Sequence, residues 1–168
     1  MSFKEIKPEE LEFNPFTRIG KEWMLITAGS QEGFNTMTAS WGGAGVLWGK
    51  NVATAYIRPQ RYTKEFVDKN DLFTLTFFGD GCREALNLCG TLSGRDCDKV
   101  GKAGLTPYFT DGTVSFEEAD TILVCRKLYE DTIKPECFLD KGSDTKWYPE
   151  KDYHTMYIAE VVKILVRE

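Results

Sequence analysis

The chain is organised around residues 35–63, which read NTMTASWGGAGVLWGKNVATAYIRPQRYT. Small hydroxyl residues open this stretch, four glycines and two tryptophans follow, and it ends in a segment that contains Arg58 and Arg61. Arginine forks bind phosphate, and flat aromatic rings stack on planar groups. The stretch therefore suits a ligand that is part flat ring and part phosphate, and the remainder of the chain is interpreted as its scaffold.

Length and composition predict a single domain over residues 1–168. The 168 residues are enough for a hydrophobic core but are typical of one domain. Aromatic residues make up 13% of the chain and there are 15 glycines, a combination that favours short strands and turns over a helical bundle.

Charge and cysteine usage exclude several classes of protein. The net charge of −5 does not favour binding to nucleic acid, because a duplex binder needs a basic face. The first ten residues, MSFKEIKPEE, lack the apolar segment of a signal peptide, and no apolar run reaches membrane-spanning length. Five cysteines without a C-x-x-C pair and a single histidine indicate reduced thiols and no metal site. We therefore expect a cytoplasmic protein that binds neither membrane nor nucleic acid.

Strand-like segments outnumber helical ones. Residues 29–33 are predicted to form a turn between the first two strands, and residues 42–50 to form a flexible loop. The six predicted strands are Glu22–Ala28, Phe34–Trp41, Asn51–Ile57, Leu72–Phe78, Thr121–Tyr129 and Tyr153–Val166. Their spacing predicts a mostly antiparallel barrel, so the fold class is mainly β with short helices.

Two short helices are predicted. Thr63 is the expected N-cap of a helix that runs to Lys69. A second helix is expected over Cys82–Cys89, with Gly90 as its left-handed cap. The other segments are expected to be irregular: an extended lead-in over residues 1–20, loops over residues 91–112, and residues 135–149.

The phosphate hypothesis depends on Arg58 and Arg61. The glycines do not have the spacing of a P-loop, and no G-x-G-x-x-G opens a helix. The two arginines instead precede a predicted helix N-terminus, where free N–H groups and the helix dipole favour an anion. The alternative is that both are surface arginines paired with Asp or Glu.

Other candidate residues also have two interpretations. Trp41 and Trp48 would either stack on a ring or belong to the core. The Ser93–Asp96 segment with Lys99 would form a polar clamp or an ordinary turn. His154, near the start of the last predicted strand, would contact a ligand or simply end the strand. No serine or cysteine nucleophile motif accompanies it, so a catalytic triad is not predicted.

Taken together, these segments resemble the flavin reductase-like, FMN-binding split-barrel family, which includes the flavoredoxins. The resemblance covers most of the chain and depends on the order and spacing of its motifs. One departure is Ala159-Glu160, where relatives often have Gly-Glu. The segments that carry the resemblance are residues 35–43 (NTMTASWGG), 57–63 (IRPQRYT), 89–96 (CGTLSGRD) and 152–158 (DYHTMYI).

The resemblance implies a six-stranded antiparallel split β-barrel and a homodimer that holds FMN noncovalently near the subunit interface. Residues 38–41 would line the flavin ring and ribityl chain, residues 58–63 would hold the ribityl chain and phosphate, and residues 93–95 with Lys99 would approach from a loop. His154 would lie near the ring as the candidate catalytic residue, where it would orient the nicotinamide or tune the flavin. The implied cofactor-binding residues are Asn35, Thr36, Met37, Thr38, Ala39, Ser40, Trp41, Trp48, Arg58, Pro59, Gln60, Arg61, Tyr62, Thr63, Cys89, Ser93, Gly94, Arg95 and Lys99.

Three functions remain open from the sequence. The first is a flavin reductase that takes a hydride from NAD(P)H through bound FMN and passes electrons to flavin or another acceptor. The second is a flavoredoxin-like electron carrier that a redox partner protein reduces. The third is a flavin-free binding domain with the same barrel.

Overall fold

The computed structural model describes residues 2–168 and contains ten strands. Strand formation follows the apolar and hydroxyl-rich segments, in which successive side chains point to opposite faces. The strands are β1 Phe3–Ile6, β2 Met24–Ser30, β3 Gly33–Ala39, β4 Gly42–Leu47, β5 Lys50–Ile57, β6 Leu72–Phe77, β7 Pro107–Thr110, β8 Thr113–Phe116, β9 Thr121–Thr132 and β10 Thr155–Arg167.

Short helices lie between the strands. They are α1 Pro15–Thr17, α2 Tyr62–Lys69, α3 Arg83–Thr91, α4 Lys99–Lys102 and α5 Lys141–Trp147. A π-helical stretch, Arg18–Glu22, and two 3-10 turns, Pro8–Glu10 and Pro135–Cys137, complete the described elements. Within residues 2–168, no helix has the length and apolar character needed to cross a membrane.

Eight strands form one antiparallel sheet in the order β3-β2-β6-β9-β10-β5-β4, with β1 paired to β10. The end strands β3 and β4 are consecutive in the chain and are joined through Ser40 and Trp41, so the sheet curls back on itself. Among the described residues these two strands are not hydrogen-bonded to each other, and the barrel is split. The predicted mainly-β split-barrel class is confirmed, with more strands in the sheet than the six expected.

The two faces of the sheet pack into separate hydrophobic clusters. Alternation along β2 sends Met24 and Ile26 into one cluster and Leu25 into the other. The second cluster also contains Leu86 of α3 and Phe116 of β8, so α3 and the β7–β8 hairpin cover the outer face. This packing fixes α3 against β3, where the candidate site lies.

Residues 42–50 were predicted to be a flexible loop, and this prediction is wrong. They form β4 and a two-residue hairpin turn, in which Trp48 and Gly49 have φ values of +53° and +69°. Positive φ at both central residues is typical of a type I′ turn. Gly42 also suits the strand, because a Cβ there would lie 2.9 Å from the carbonyl oxygen of Thr54. The glycines therefore permit close pairing and do not create a loop.

The predicted helix caps are wrong in both helices. The N-cap of α2 is Arg61, whereas Thr63 is buried in the first turn and accepts a hydrogen bond from Asn35. Gly90 lies inside α3, which continues to Thr91 and ends at an extended Leu92. Thr63 and Gly90 each contact a residue of another segment, and these contacts explain why the two residues stand where they do in the helices.

Segments that were predicted to be irregular contain further elements. The lead-in, whose first residue Met1 lies outside the described residues, contains β1, which pairs with residues 164–167 at the other end of the chain. Residues 91–112 contain α4 and β7, and residues 135–149 contain α5. These elements are short and depend on distant partners, which local sequence patterns do not reveal. All five cysteines are free thiols.

Gly29 is expected to be essential for the β2–β3 hairpin. Its φ is +123°, and an added Cβ would overlap the carbonyl oxygen of Gly33 and lie 2.5 Å from Phe34 Cα. Backbone strain and overpacking predict that Gly29→Ala lowers the free energy of unfolding by about 2–5 kcal/mol. Urea unfolding of both variants measures this, with Gly33→Ala as the control because its Cβ would meet open space. Equal stability of the two variants would contradict the prediction.

Candidate functional site

An arginine with one buried guanidinium nitrogen lies where α2, α3 and β3 meet. Arg61 Nη1 donates a hydrogen bond of 3.2 Å to the carbonyl oxygen of Gly90, close to the C-terminal end of α3. Its Nη2 is buried and has no hydrogen-bond partner among residues 2–168. Burial lowers the pKa of Arg61, although an arginine stays charged. A charged donor without an acceptor is costly, so this nitrogen indicates a place for an anionic group.

A buried cation, Lys99, lies beside Arg61. Its side chain is 4% exposed, and Nζ donates to the carbonyl oxygens of Cys89 (3.1 Å) and Leu92 (3.2 Å). Burial lowers the pKa of Lys99 to about 8; Cys89 opposes the shift and Arg61 adds to it. The negative end of the α3 dipole favours both cations, but it does not provide an acceptor for every N–H group.

Asn35, Thr63 and Gly94 form the polar wall next to these cations. Asn35 Nδ2 donates to Thr63 Oγ1 at 2.8 Å. Gly94 packs so tightly that a Cβ there would overlap the Asn35 amide oxygen. Asn35, Gly94 and Lys99 also line a groove of about 470 Å³. We call Asn35, Arg61, Thr63, Gly94 and Lys99 the cationic cluster.

Thr38 connects β3 to α3 beside this cluster. Its hydroxyl donates to the carbonyl oxygen of Leu86, and a Cβ on Gly90 would lie 3.2 Å from Thr38 Cβ. Gly90 therefore favours the close approach of α3 to β3, because a Cβ there would be in tighter than ordinary contact with Thr38. This contact brings the beginning of the Thr38–Trp41 segment next to Arg61.

Arg58 and Arg95 differ from Arg61 because protein groups already pair with them. Arg58 forms an ion pair of 2.7 Å with Asp152 and donates to the carbonyl oxygen of Trp147 at 2.9 Å. Arg95 pairs with Glu65 and lies over the ring of Tyr62, 4.5 Å from its centre. The paired-arginine alternative, stated for Arg58 and Arg61, thus describes Arg58 and does not describe Arg61, which keeps a free donor.

Gln60, the chain neighbour of Arg61, links Arg95 to Asp152. Its carbonyl oxygen accepts from Arg95 at 3.2 Å, and its Nε2 donates to Asp152 at 2.8 Å. Asp152 precedes His154 by two residues, and Thr155 pairs with Ile57 between β10 and β5. The pairing register therefore places His154 next to Arg58.

Aromatic rings surround His154, which is 8% exposed. The ring centres of His154 and Trp41 lie 5.0 Å apart, and Trp147 meets Trp41 edge-on at 5.1 Å. Tyr148 Oη and His154 Nδ1 are 2.8 Å apart. Burial and then Arg58 lower the pKa of His154 to about 4, with Asp152 opposing, so the imidazole is neutral near pH 7. We call Trp41, Trp147, Tyr148 and His154 the aromatic cluster.

Several predicted site residues lie in other surroundings. Thr36 is buried against Thr27, with their hydroxyl oxygens 2.7 Å apart, and Met37 and Ala39 belong to the hydrophobic core. Trp48 is exposed at the β4–β5 turn, and its nearest described ring is that of Tyr129 at 6.2 Å. The remaining residues border the clusters: Ser40 and Tyr62 are half-buried, Pro59 is exposed, Cys89 packs in the second core, and Ser93 Oγ accepts from the Arg95 N–H at 3.2 Å.

Sequence reasoning missed Trp147, Tyr148 and Asp152. All three contact a predicted site residue, either Trp41, His154 or Arg58. The signal was the adjacent pair Trp147-Tyr148, six residues before the only histidine, in a segment predicted to be irregular. Within residues 2–168, no group of three His, Cys, Asp or Glu side chains is placed to hold a metal ion.

Lys99 predicts a specific dependence of stability on alkaline pH. Between about pH 8 and the unfolded pKa of 10.5, the unfolded chain binds more protons, so the free energy of unfolding rises with pH. The rise attributable to Lys99 is about 3 kcal/mol. Chemical unfolding from pH 7 to 10.5, without ligand and with a reductant, gives the free energy of unfolding of the wild type and of Lys99→Met. The difference between the two pH profiles measures the contribution of Lys99. Lys102→Met, an exposed lysine of the same helix, is the control; an identical pH profile for wild type and Lys99→Met would disprove the assignment.

Comparison with known proteins agrees with this architecture. The model of the flavin reductase like domain matches residues 16–168. A search of curated proteins finds no significant sequence match.

Three solved structures illustrate the likeness in fold. An FMN-binding domain of a flavin reductase-like enzyme from Shewanella baltica OS155 has 16% identity and a TM-score of 0.69, over 98% of this chain and 77% of that chain. Flavoredoxin of Desulfovibrio vulgaris (Miyazaki F) has 19% identity and a TM-score of 0.67, over 87% and 69%. Nitrilotriacetate monooxygenase component B from Bacillus cereus has 15% identity and a TM-score of 0.68, over 100% and 83%. Together with the match of the domain model to most of the sequence, these findings mean that the chain belongs to the flavin reductase-like domain family.

Proposed function

We propose that the protein is an oxidoreductase that binds FMN noncovalently and uses NAD(P)H as its electron donor. The observation that carries the proposal is the buried Arg61 Nη2, which has no partner among the described residues and lies beside the buried cation Lys99. Family membership supports the flavin, since the similar structures from Shewanella and Desulfovibrio are a flavin reductase-like FMN-binding domain and a flavoredoxin.

The cationic cluster fits a phosphate monoester. A phosphate offers several acceptor oxygens and close to two negative charges, which the free Arg61 donor and the Lys99 ammonium complement. Thr63 adds a hydroxyl held by Asn35. Arg58 and Arg95 already have carboxylate partners, so we assign the phosphate to Arg61 and leave those two a role in shaping the site.

The aromatic cluster fits the planar part of the ligand. Trp41 and Trp147 are 36% and 44% exposed, and together they present apolar surface at the β3–β4 corner, next to Ser40. Bound FMN would accept a hydride from the nicotinamide and release electrons to flavin or another acceptor. The protein residues contribute position and exclusion of water, and the neutral His154 is available to hydrogen-bond a ligand without changing charge near pH 7.

The phosphate assignment predicts that Arg61 discriminates FMN from riboflavin, which lacks the phosphate. Losing one or two charge-assisted hydrogen bonds, each worth about 1.5–3 kcal/mol, predicts that Arg61→Gln weakens FMN binding at least tenfold and leaves riboflavin binding nearly unchanged. Titration by flavin fluorescence measures both affinities, and the exposed Arg126→Gln on β9 is the control. Equal losses for FMN and riboflavin would place the phosphate elsewhere.

The electron donor is tested on the FMN-loaded protein. We expect anaerobic stopped-flow mixing with NADH or NADPH to bleach the visible flavin absorbance at a rate that saturates with the nucleotide. If neither nucleotide bleaches the flavin, the protein is an electron carrier that a redox partner protein reduces. A purified protein that takes up no FMN on titration would instead favour a flavin-free binding domain.

We also propose that the protein is a homodimer with the flavin near the interface. The edge strand β4 supports this, because Val46 is 74% exposed and Leu47 and Trp48 are also exposed beside it. Light scattering is expected to give twice the monomer mass, and Val46→Lys to shift the protein toward monomer. Leu139→Lys, which also replaces an exposed apolar residue, is the control; a monomeric wild type would refute the proposal.

A further inference from the structure

We propose that Tyr148 is a positioning residue that holds the His154 imidazole as the neutral tautomer with its proton on Nε2. The tautomer is a property of the folded chain, whereas its use in hydride transfer rests on the function proposed above. The two parts can therefore fail separately.

One proton lies between Tyr148 Oη and His154 Nδ1 and belongs to one of the two atoms. The surroundings of the two side chains decide which atom is the donor. Tyr148 Oη lies 2.8 Å from His154 Nδ1, and both side chains are buried. Burial raises the pKa of Tyr148, although Arg58 and the backbone N–H of His154 oppose the shift, so the phenol keeps its proton near pH 7. Within residues 2–168, the hydroxyl has no other hydrogen-bond acceptor than Nδ1.

Donation by Tyr148 gives both the phenolic O–H and His154 Nδ1 a hydrogen-bond partner. The hydroxyl proton goes to the Nδ1 lone pair, which requires that Nδ1 be unprotonated. The opposite arrangement would bury a hydroxyl proton without an acceptor and would cost the free energy of an unmade hydrogen bond. The remaining proton of the neutral imidazole is therefore on Nε2.

The surroundings hold Tyr148 in place for this role. The Arg58 guanidinium lies 5.0 Å from the centre of the Tyr148 ring and is itself paired with Asp152. The Tyr148 backbone N–H donates to the Asp144 carbonyl oxygen at 2.9 Å, at the end of α5. The backbone carbonyl of His154 accepts from the N–H of Ile133 at 2.9 Å. Both partners of the hydrogen bond are thus anchored by their backbones.

The charged groups that act on His154 are Arg58 and Asp152, on the two segments beside it. Arg58 disfavours the imidazolium and Asp152 favours it. Burial also disfavours the imidazolium, and its effect is larger than that of either charged group. The ring therefore stays neutral through the physiological range. An Nε2–H group on an imidazole that packs against Trp41 would be a constant donor toward a carbonyl or amide oxygen on a planar ring ligand, and it would not act as a proton acceptor.

A single histidine makes the tautomer directly measurable. In uniformly 15N-labelled full-length protein, with and without FMN, the long-range 1H–15N correlation spectrum contains imidazole signals from His154 alone. We expect an unprotonated Nδ1 and a protonated Nε2, with no titration from pH 5.5 to 9. A protonated Nδ1, or an equal mixture of tautomers, in the wild type would overturn the proposal.

Two variants then test the part played by Tyr148. Tyr148→Phe removes the donor, and we expect the single tautomer to be lost and the His154 pKa to rise, because the hydrogen bond favours the neutral form. Tyr153→Phe is the matched control, since its ring lies 4.8 Å from that of Tyr148 but its hydroxyl donates to Asp144. Unchanged signals in Tyr148→Phe would overturn the proposal.

The tautomer of His154 and the proposed FMN-dependent function are tested separately by these experiments. If Tyr148→Phe does not fold, the wild-type spectrum still decides the tautomer. If the protein takes up no FMN, the proposed function fails while the flavin-free spectrum still tests the role of Tyr148. If FMN binds and NAD(P)H reduces it, Tyr148→Phe should raise KM or lower kcat, whereas Tyr153→Phe should leave both near the wild-type values.

Discussion

The pairing of strand β10 with three other strands sets the register of the sheet and the position of the candidate site. Strand β10 is 13 residues long and pairs with β9 along one edge, while β5 and then β1 pair along the other. A strand shared by three neighbours fixes the curvature of the sheet and the register of every hairpin attached to it. The pairing of Thr155 with Ile57 sets His154 beside Arg58, and the chain entering β10 brings Tyr148 and Asp152 to the same place. A slip of one residue would move His154 to the other face of the sheet.

The three arginines of the region illustrate how similar residues acquire different roles. Arg58 and Arg95 are balanced by carboxylates and aromatic rings, so they stabilise loops and leave little charge for a ligand. Among residues 2–168, the Arg61 side chain has one hydrogen-bond acceptor, the carbonyl oxygen of Gly90, and the dipole of α3 adds to its stabilisation. The protein thus bears the desolvation cost of a half-buried cation before any ligand binds. An anion that accepts a hydrogen bond from Arg61 Nη2 offsets part of that cost, and the offset contributes to the free energy of binding.

Local sequence patterns predict much of the fold, but they predict less of the candidate site. Alternating segments such as Leu72–Phe77 identified the long strands, and the resemblance identified the barrel. The β4 strand was missed because its glycines suggest a loop, while its structure comes from pairing with β5. The role of Thr63 as a cap was wrong because Asn35, distant in sequence, binds its hydroxyl. Burial and pairing partners decide which arginine keeps a free donor, and neither can be obtained from spacing along the chain.

We propose that the phosphate of FMN binds at Arg61, and an experimental structure of the FMN complex is the decisive test. We predict phosphate oxygens within hydrogen-bonding distance of Arg61 Nη2 and close to Lys99, with the Arg58–Asp152 ion pair unbroken. A complex in which the phosphate binds Arg58 and displaces Asp152, while Arg61 Nη2 stays without a partner, would show that the assignment to Arg61 is wrong.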